Sequence, residues 1–481
     1  MNKNPSLLWL RRDLRLQDNP ALQAAVSSGR PLIVLFILDE NDPLAFGEAQ
    51  YWWLHHSLAL LGREIEKRGA RLTLRRGASA SIVREIVETY NCDEVYWNRR
   101  YAGEHVEIDM ALKKDLAEIG VEVSSFNGSL LKEPWEVKTQ TGGYYRVYSP
   151  YWRSLQKFGD LGAKTSRAPK LFEGIKQAPE SDVLDDWALL PSNPDWASDF
   201  SNHWTPGEKG ARKALSAFLD DPIDGYKEDR DRPDKTGTSR LSPHLAFGEI
   251  SPDAIWYATS KAMHEGSVPD THGHKFLSEL AWRDFAYHLL FHNPSMTTEP
   301  FRPQFKSFPW RENEEMFLAW KKGQTGIPII DAGMRELWQT GWMHNRVRMI
   351  VASFLTKNLL IDWRHGERWF WDCLLDADIA NNPVSWQWVA GSGADAAPYF
   401  RIFNAATQGQ RFDPDGAYVR KYVPELGKLD KKFVHNPWDA GTDQLSNAGV
   451  NLGDTYPKPI VDLKETRKRA LEAFDQMKNA G

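Results

Sequence analysis

Cysteine is nearly absent from this chain: Cys92 and Cys373 are the only two in 481 residues. Two thiols so far apart in sequence give neither a disulfide framework nor a thiolate metal site, so both are expected to be buried and inert. Long apolar runs are missing as well. None approaches the ~18 residues that a membrane span needs, and the amino terminus, MNKNPSLLWLRRDLRL, meets its arginines too soon for a secretory segment. These absences predict a cytoplasmic protein that does not touch membranes. The 13 histidines include no HExxH pair, and His272 with His274 in THGHKF reads as a solvated pair, so no metal is expected. A net charge of −5 gives no global pull toward nucleic acid, although a local basic patch can still hold a phosphate backbone.

Tryptophan, by contrast, is plentiful. The chain has 21, and ten of them (Trp282, Trp310, Trp320, Trp338, Trp342, Trp363, Trp369, Trp371, Trp386 and Trp388) fall between 282 and 388. A dense indole region is either a large aromatic core or a path for electrons beside a stacking surface. Trp386 and Trp388 bear on the choice, because two residues along a helix turn side chains about 200° apart. They face opposite ways, so one can line an aromatic chain while the other lines a cavity. Their segment, DADIANNPVSWQWVAGSGADAAPYFRIFN, also carries Asp376, Asp378 and Asn382, a mix suited to a flavin.

A chain of this length and composition, 41% hydrophobic and 26% charged, is expected to form two or three globular domains. Residues 6–126 alternate short apolar runs (7–10, 32–38, 72–74, 94–97, 121–126) with helical stretches near 19–28, 48–69, 79–90 and 104–119. Strands without polar alternation imply a parallel sheet covered on both faces, a doubly wound α/β domain of five strands assigned to 1–130. No GxGxxG follows the first strand, so an ordinary dinucleotide site is not expected. Residues 131–205, rich in proline, read as an irregular interdomain connector on the surface. From 206 to 481 strand signals nearly vanish, and an all-α domain is expected.

Three clusters stand out. Glu279, Trp282 and Arg283 share a helix face at i, i+3 and i+4. Asn345 and Met349 lie one turn apart in HNRVRM beside Arg346 and Arg348. In TGTSRLSPHLAFGEIS, hydroxyls surround Arg240 ahead of a helix expected to start near Pro243, where a pyrophosphate could be cradled. Each has an ordinary reading too: an amphipathic helix for the first two, a capped turn for the third. GSGADA at 391–396 follows a helix, not a strand, and reads as a turn.

LWLRRDLRLQDNPAL, GTSRLSPHLAFGEIS, ELAWRDF, TGIPIIDAGMRELWQTGWMHNRVRMIVASFLTKNLLIDWRHGE, DADIANNPVSWQW and YVPEL together resemble the photolyase/cryptochrome family in order and spacing, over nearly the whole chain. The resemblance implies an α/β domain followed by a helical FAD-binding domain. It places Tyr226, Thr238, Ser239, Arg240, Leu241 and Ser242 at the phosphates and ribose of FAD. Arg283, Arg348, Asp376 and Asp378 are likewise expected at the cofactor, the last three around the isoalloxazine. Asn382 matches the residue facing flavin N5, where plant-type photoreceptors carry aspartate and where a neutral acceptor favours reduced flavin. Trp386, Trp363 and Trp310 align with the relay that re-reduces the flavin, which leaves Trp388 for the substrate cavity.

The remaining cavity residues point to cyclobutane pyrimidine dimer repair. A flipped dimer would stack on Trp282 and Trp388, with Glu279, Asn345, Arg346 and Met349 completing the wall. Glu279, if protonated, could donate to a pyrimidine carbonyl. Enzymes for the 6-4 photoproduct carry histidines at the positions of Asn345 and Met349. The run from VPELGKLD to PIVDL resembles plant cryptochromes, which suggests the bacterial class III dimer photolyases. One departure is Ala405, where the family has proline after RIFN. The implied reaction is light-driven splitting of dimers in UV-damaged DNA by a lyase using FAD as FADH−. The enzyme is expected to act as a monomer with no obligate protein partner. The second chromophore is expected to be 5,10-methenyltetrahydrofolate, with a deazaflavin or second flavin as rivals; no Cys-Lys antenna pair is visible in HNPSMTTEPF, and no antenna residues are assigned. A cryptochrome-type photoreceptor and a dark flavin oxidoreductase are the alternatives. The cavity tryptophans and the lack of a signalling tail weigh against the first, and the absence of a nicotinamide site against the second.

Overall fold

The computed structural model describes residues 3–42, 44–163 and 165–480. Five strands, β1 (Ser6–Leu10), β2 (Leu32–Leu38), β3 (Leu72–Arg76), β4 (Glu94–Asn98) and β5 (Glu122–Phe126), form one parallel sheet in the order β3-β2-β1-β4-β5. The connecting helices are α1 (Pro20–Ser27), α2 (Glu48–Glu66), α3 (Ser79–Tyr90) and α4 (Gly103–Glu118). Every residue of β1 and β2 is buried, which is why these strands read as unbroken apolar runs. In register, Leu8 pairs with Val34 on one side and Tyr96 on the other. The α/β expectation therefore holds, with strand ends within two residues of those read from sequence. At the β1/β4 switch point, where open α/β sheets bind ligands, the chain places its own polar groups. Asp13 accepts from Arg11 N and Asn98 Nδ2, both at 2.6 Å, and Arg11 Nη1 pairs with Asp109 at 2.8 Å.

Both cysteines are buried, as expected. The stretch 131–205 is less irregular than its prolines suggest. It contains α5 (Tyr148–Leu155), whose Tyr148, Tyr151 and Leu155 are buried, so it supplies core as well as connection. Pro150 sits in the first turn, where its missing N–H breaks no helix bond.

The chain packs as two compact units. The first comprises 1–224, 239–294 and 378–380; the second comprises 225–238, 295–377 and 381–481. The first holds the sheet and a long helix, α6 (Asp270–His292). The second is built on α7 (Pro328–Thr340), α8 (Asn345–Ser353), α9 (Trp363–Cys373), α10 (Asn381–Ala390) and α11 (Leu463–Ala480), with no named strand among the described residues. Its core gathers Trp320, Ile330, Val351, Leu355, Phe370 and Trp386. Buried carboxylates tie its loops down: Asp331 accepts from Thr325 N, Gly326 N and Tyr456 Oη at 2.7, 3.0 and 2.6 Å. Desolvation raises the Asp331 pKa to about 6 against these donors. Among the described residues no helix is long and apolar enough to cross a membrane, and no cluster of His, Cys, Asp and Glu could hold a metal.

Candidate functional site

In the first unit, α6 carries Glu279, Trp282 and Arg283 at its expected one-face spacing. The Trp282 ring is half-buried and stacks on Tyr148 of α5, centroids 3.7 Å apart and planes 11° from parallel. That contact gives the indole a rigid backing. Tyr148 is itself held by its hydroxyl, which donates to Ser278 O at 2.5 Å. Glu279 accepts from Lys275 Nζ at 2.6 Å, one turn back on the same helix. A proton-donor role for Glu279 therefore requires that ion pair to be surrendered. Arg283 donates to Ser129 O at 2.6 Å and lies over the Tyr287 ring at 4.9 Å. Tyr287 Oη in turn donates to Asp378 at 2.8 Å, and Asp378 Oδ1 also accepts from Ala380 N.

Ser239 to Ser242 belong to this unit as well. Arg240 has a positive φ of 51° and lies over the Trp204 ring at 4.3 Å. The helix that begins at Ser242 has Pro243 in its first turn, as expected, but ends at Ala246. Leu241 is buried, and its N–H donates to Ser239 Oγ at 3.4 Å.

In the second unit Tyr226 is buried beneath Arg230, 5.8 Å from its ring, and Thr238 closes that segment. His344 caps α8 by accepting from Arg346 N at 3.2 Å, and burial lowers its pKa to about 4, so it stays neutral. From the helix it starts, Asn345 is exposed, Arg346 pairs with Asp231 at 2.8 Å, and Met349 lies 3.6 Å from Arg346 Nη1. Arg348 makes a two-oxygen pair with Asp376 at 2.8 and 3.0 Å and donates to Met343 O at 2.7 Å. The structure thus joins Arg348 to Asp376 while placing Asp378, two residues on, with Tyr287.

On α10, Asn382 and Trp386 are one turn apart and share a face. Trp386 is 2% exposed, whereas Trp388 is only partly buried and packs at the edge of the same core; the 200° separation turns the two to different sides of the helix. Around Trp386 stand Phe370 at 5.0 Å and Trp320 at 6.2 Å, both edge-on. Trp363 is buried on α9 beneath Arg364, and Trp310 is half-buried against Phe308 at 4.4 Å. Gly366 makes the α9–α10 contact possible: a Cβ there would lie 2.2 Å from Trp386 Cη2. The helix after RIFN starts at Ala405 under an Asn404 cap, which accepts from Thr407 N at 3.1 Å. A capping side chain thus begins this helix without the family's proline.

Sequence reasoning missed four partners: Tyr148 behind Trp282, Asp231 beside Arg346, Trp320 beside Trp386, and Glu367 at Asn382. Lys275 was readable from its i, i+4 spacing to Glu279.

Residues 6–170 match the family model for DNA photolyase, and residues 276–476 match that for the FAD binding domain of DNA photolyase. A deoxyribodipyrimidine photo-lyase of Agrobacterium fabrum is 52% identical over 475 residues, covering 98% of both chains. Cryptochrome-1 of Arabidopsis thaliana is 36% identical over 98% of this chain and 70% of its own. The crystal structure of a bacterial class III photolyase from Agrobacterium tumefaciens superposes with a TM-score of 0.97 at 51% identity, covering 100% of this chain and 98% of that one. On this similarity and the fold beneath it, the chain belongs to the photolyase/cryptochrome family.

Proposed function

We propose that this protein is a deoxyribodipyrimidine photolyase of the class III kind: a light-driven DNA-repair lyase that binds FAD and splits cyclobutane pyrimidine dimers. The observation that carries the reading is the division of α10, with Asn382 and buried Trp386 on one face and partly buried Trp388 on another side of the helix. Reduced FAD, when bound, supplies the light-excited electron that enters the dimer and later returns.

The polar groups carried over from the resemblance suit that cofactor. The Arg348–Asp376 pair offers a fixed guanidinium beside a carboxylate, and Asn382 an amide of fixed orientation. Tyr226 and the run Thr238 to Ser242 are proposed to hold its phosphates and ribose, and Arg283 and Asp378 its remaining polar edge. Trp386, Trp363 and Trp310 are proposed to pass an electron toward solvent. Trp282 and Trp388 stack the flipped pyrimidines, and Glu279, Asn345, Arg346 and Met349 line the same pair. When the dimer's ring bonds break and the electron leaves again, no net redox change remains. UV-damaged DNA is thus the proposed substrate, the protein acts as a monomer without an obligate partner, and its proposed domain limits are 1–130 and 206–481.

For the second chromophore we propose 5,10-methenyltetrahydrofolate, tested by its near-ultraviolet absorption band in purified protein. The cryptochrome reading draws on the similarity to Cryptochrome-1. Illumination of FAD-loaded protein with a dimer-containing oligonucleotide separates the two: repair restores absorbance at the pyrimidine band in light and not in darkness, whereas a photoreceptor leaves the DNA unchanged.

A further inference from the structure

Two arginines lie on the ring of Phe412, and the chain treats them differently. Arg411 is exposed, 5.1 Å from the ring, and pairs with no carboxylate among the described residues. Arg346, 4.6 Å from the same ring, is held on every side. Its Nη2 donates to Asp231 Oδ2 at 2.8 Å, its Nη1 lies 3.6 Å from Met349 Sδ, and its Nε is buried without a hydrogen-bond partner. Asp231 stands in the turn after the short helix Tyr226–Asp229, 115 residues from Arg346 in sequence. The arginines nearest this pair in sequence follow the same pattern: Arg232 bonds Asp234 at 2.8 and 2.5 Å, and Arg348 pairs with Asp376. A partly exposed ion pair adds little to stability, so the consequence of the Asp231 contact is sought in charge and direction.

We propose that Asp231 is a positioning residue that sets specificity for damaged DNA: it neutralises Arg346 and fixes the guanidinium, so that the Nη1 edge serves the flipped pyrimidines and not the phosphate backbone. This rests on the reading of Arg346 as part of the dimer's wall. Asp231 acts through Arg346. A buried Nε reaches no ligand and Nη2 is turned to the carboxylate, so Nη1 beside Met349 is the donor edge left. Its sulfur neighbour is a weak acceptor, which a pyrimidine carbonyl displaces readily. Without Asp231 the arginine would grip phosphate, which every DNA offers, and would strengthen binding without regard to damage. Arg411, with no such partner, is the one of the two that grips the backbone.

The test is the affinity of purified FAD-loaded protein, in darkness, for one duplex with and without a cyclobutane dimer across a series of salt concentrations. Repair does not enter the readout. Arg411→Met should flatten the slope of log affinity against log salt by about one unit on both DNAs, as loss of a phosphate contact does. Asp231→Asn should steepen the slope on undamaged DNA by about one unit and raise that affinity about fivefold, so that preference for the dimer falls by a similar factor. Asp231→Glu keeps the charge and should keep the wild-type slope. Arg346→Met combined with Asp231→Asn removes a neutral pair, so the slope on undamaged DNA should stay as in wild type while preference for the dimer falls. An unchanged slope in Asp231→Asn or in Arg411→Met, an equally steepened slope in Asp231→Glu, or a flattened slope in the double variant would each overturn the proposal. If wild type itself showed no preference for the dimer, the repair reading would fail instead. Should the double variant not fold, the two Asp231 variants still decide, because asparagine and glutamate separate charge from shape.

Discussion

The two sides of α10 are built to different standards of rigidity. On the side of Asn382 and Trp386, the amide is held twice by Glu367, and the indole is wedged among Phe370, Trp320 and Gly366. On the other side Trp388 is only partly covered. Electron hopping between aromatics demands fixed neighbours, so close packing there preserves a geometry. A surface that admits and releases a large ligand cannot be closed in the same way. Trp282 resembles Trp388 in being only partly buried, with one face backed by Tyr148. On the roles proposed above, the same residue type would serve as wire or as platform according to how many of its faces the chain itself covers.

The largest effect should come from breaking the packed side. Trp386→Ala removes a buried indole and should cost about 3–5 kcal/mol of stability, read by denaturant unfolding, while Trp388→Ala should cost far less in the same experiment. Equal losses would erase the distinction. Next, Gly366→Ala places a methyl 2.2 Å from Trp386 Cη2 and 2.6 Å from Leu355 Cδ2. Overpacking of that kind costs about 1–3 kcal/mol, and displacement of the indole should also slow photoreduction of FAD. A variant of wild-type stability and photoreduction would show that Trp386 is less constrained than its surroundings indicate.

For the open side, Trp388→Ala and Trp282→Ala should each weaken binding to dimer-containing DNA by about 1–3 kcal/mol per stacked base. Undamaged DNA, held through phosphates, should be affected little and should show the steeper relative salt dependence. The smallest effect concerns the turn behind the packed side, Phe354–Asn358, which carries Leu355 and buried Lys357. Burial lowers the Lys357 pKa to about 7. Between about 7 and 10.5 the unfolded chain binds the extra proton, so the cost of burying this amine is greatest below pH 7 and fades as pH rises toward 10.5. Lys357→Met should therefore stabilise the fold at pH 6.5 by about 1 kcal/mol or more, and the gain should shrink on going to pH 9. A gain that grew with pH would reverse the sign of this account.

How much of this can be read along the chain depends on whether the determining contacts are local. β2 is legible at 32–38 because burial on both faces leaves an unmistakable apolar run. The opposition of Trp386 and Trp388 follows from helix geometry alone. α5 is easily passed over because the prolines of the stretch 131–205 suggest irregular chain, although Tyr148, Tyr151 and Leu155 keep a helical spacing. Glu367 and Asn382, fifteen residues apart on separate helices, meet only through packing, and nothing in either segment announces the pair. Trp320 is hidden from sequence for the same reason. Residues 376–382 show a further limit: Asp376 bonds Arg348 while Asp378 bonds Tyr287, a divergence that adjacency in sequence conceals.

The most direct measurement is repair per flash by protein whose FAD has been reduced chemically, so that the tryptophan relay is bypassed. Wild type and Trp386→Phe, given a dimer-containing oligonucleotide under blue light, should restore pyrimidine absorbance with equal yield per bound dimer, and neither should do so in darkness. Trp388→Ala should repair poorly at limiting DNA because it binds poorly. No repair by wild-type protein with reduced FAD in place would contradict the enzyme reading, and loss of repair in chemically reduced Trp386→Phe would contradict the division of labour across α10.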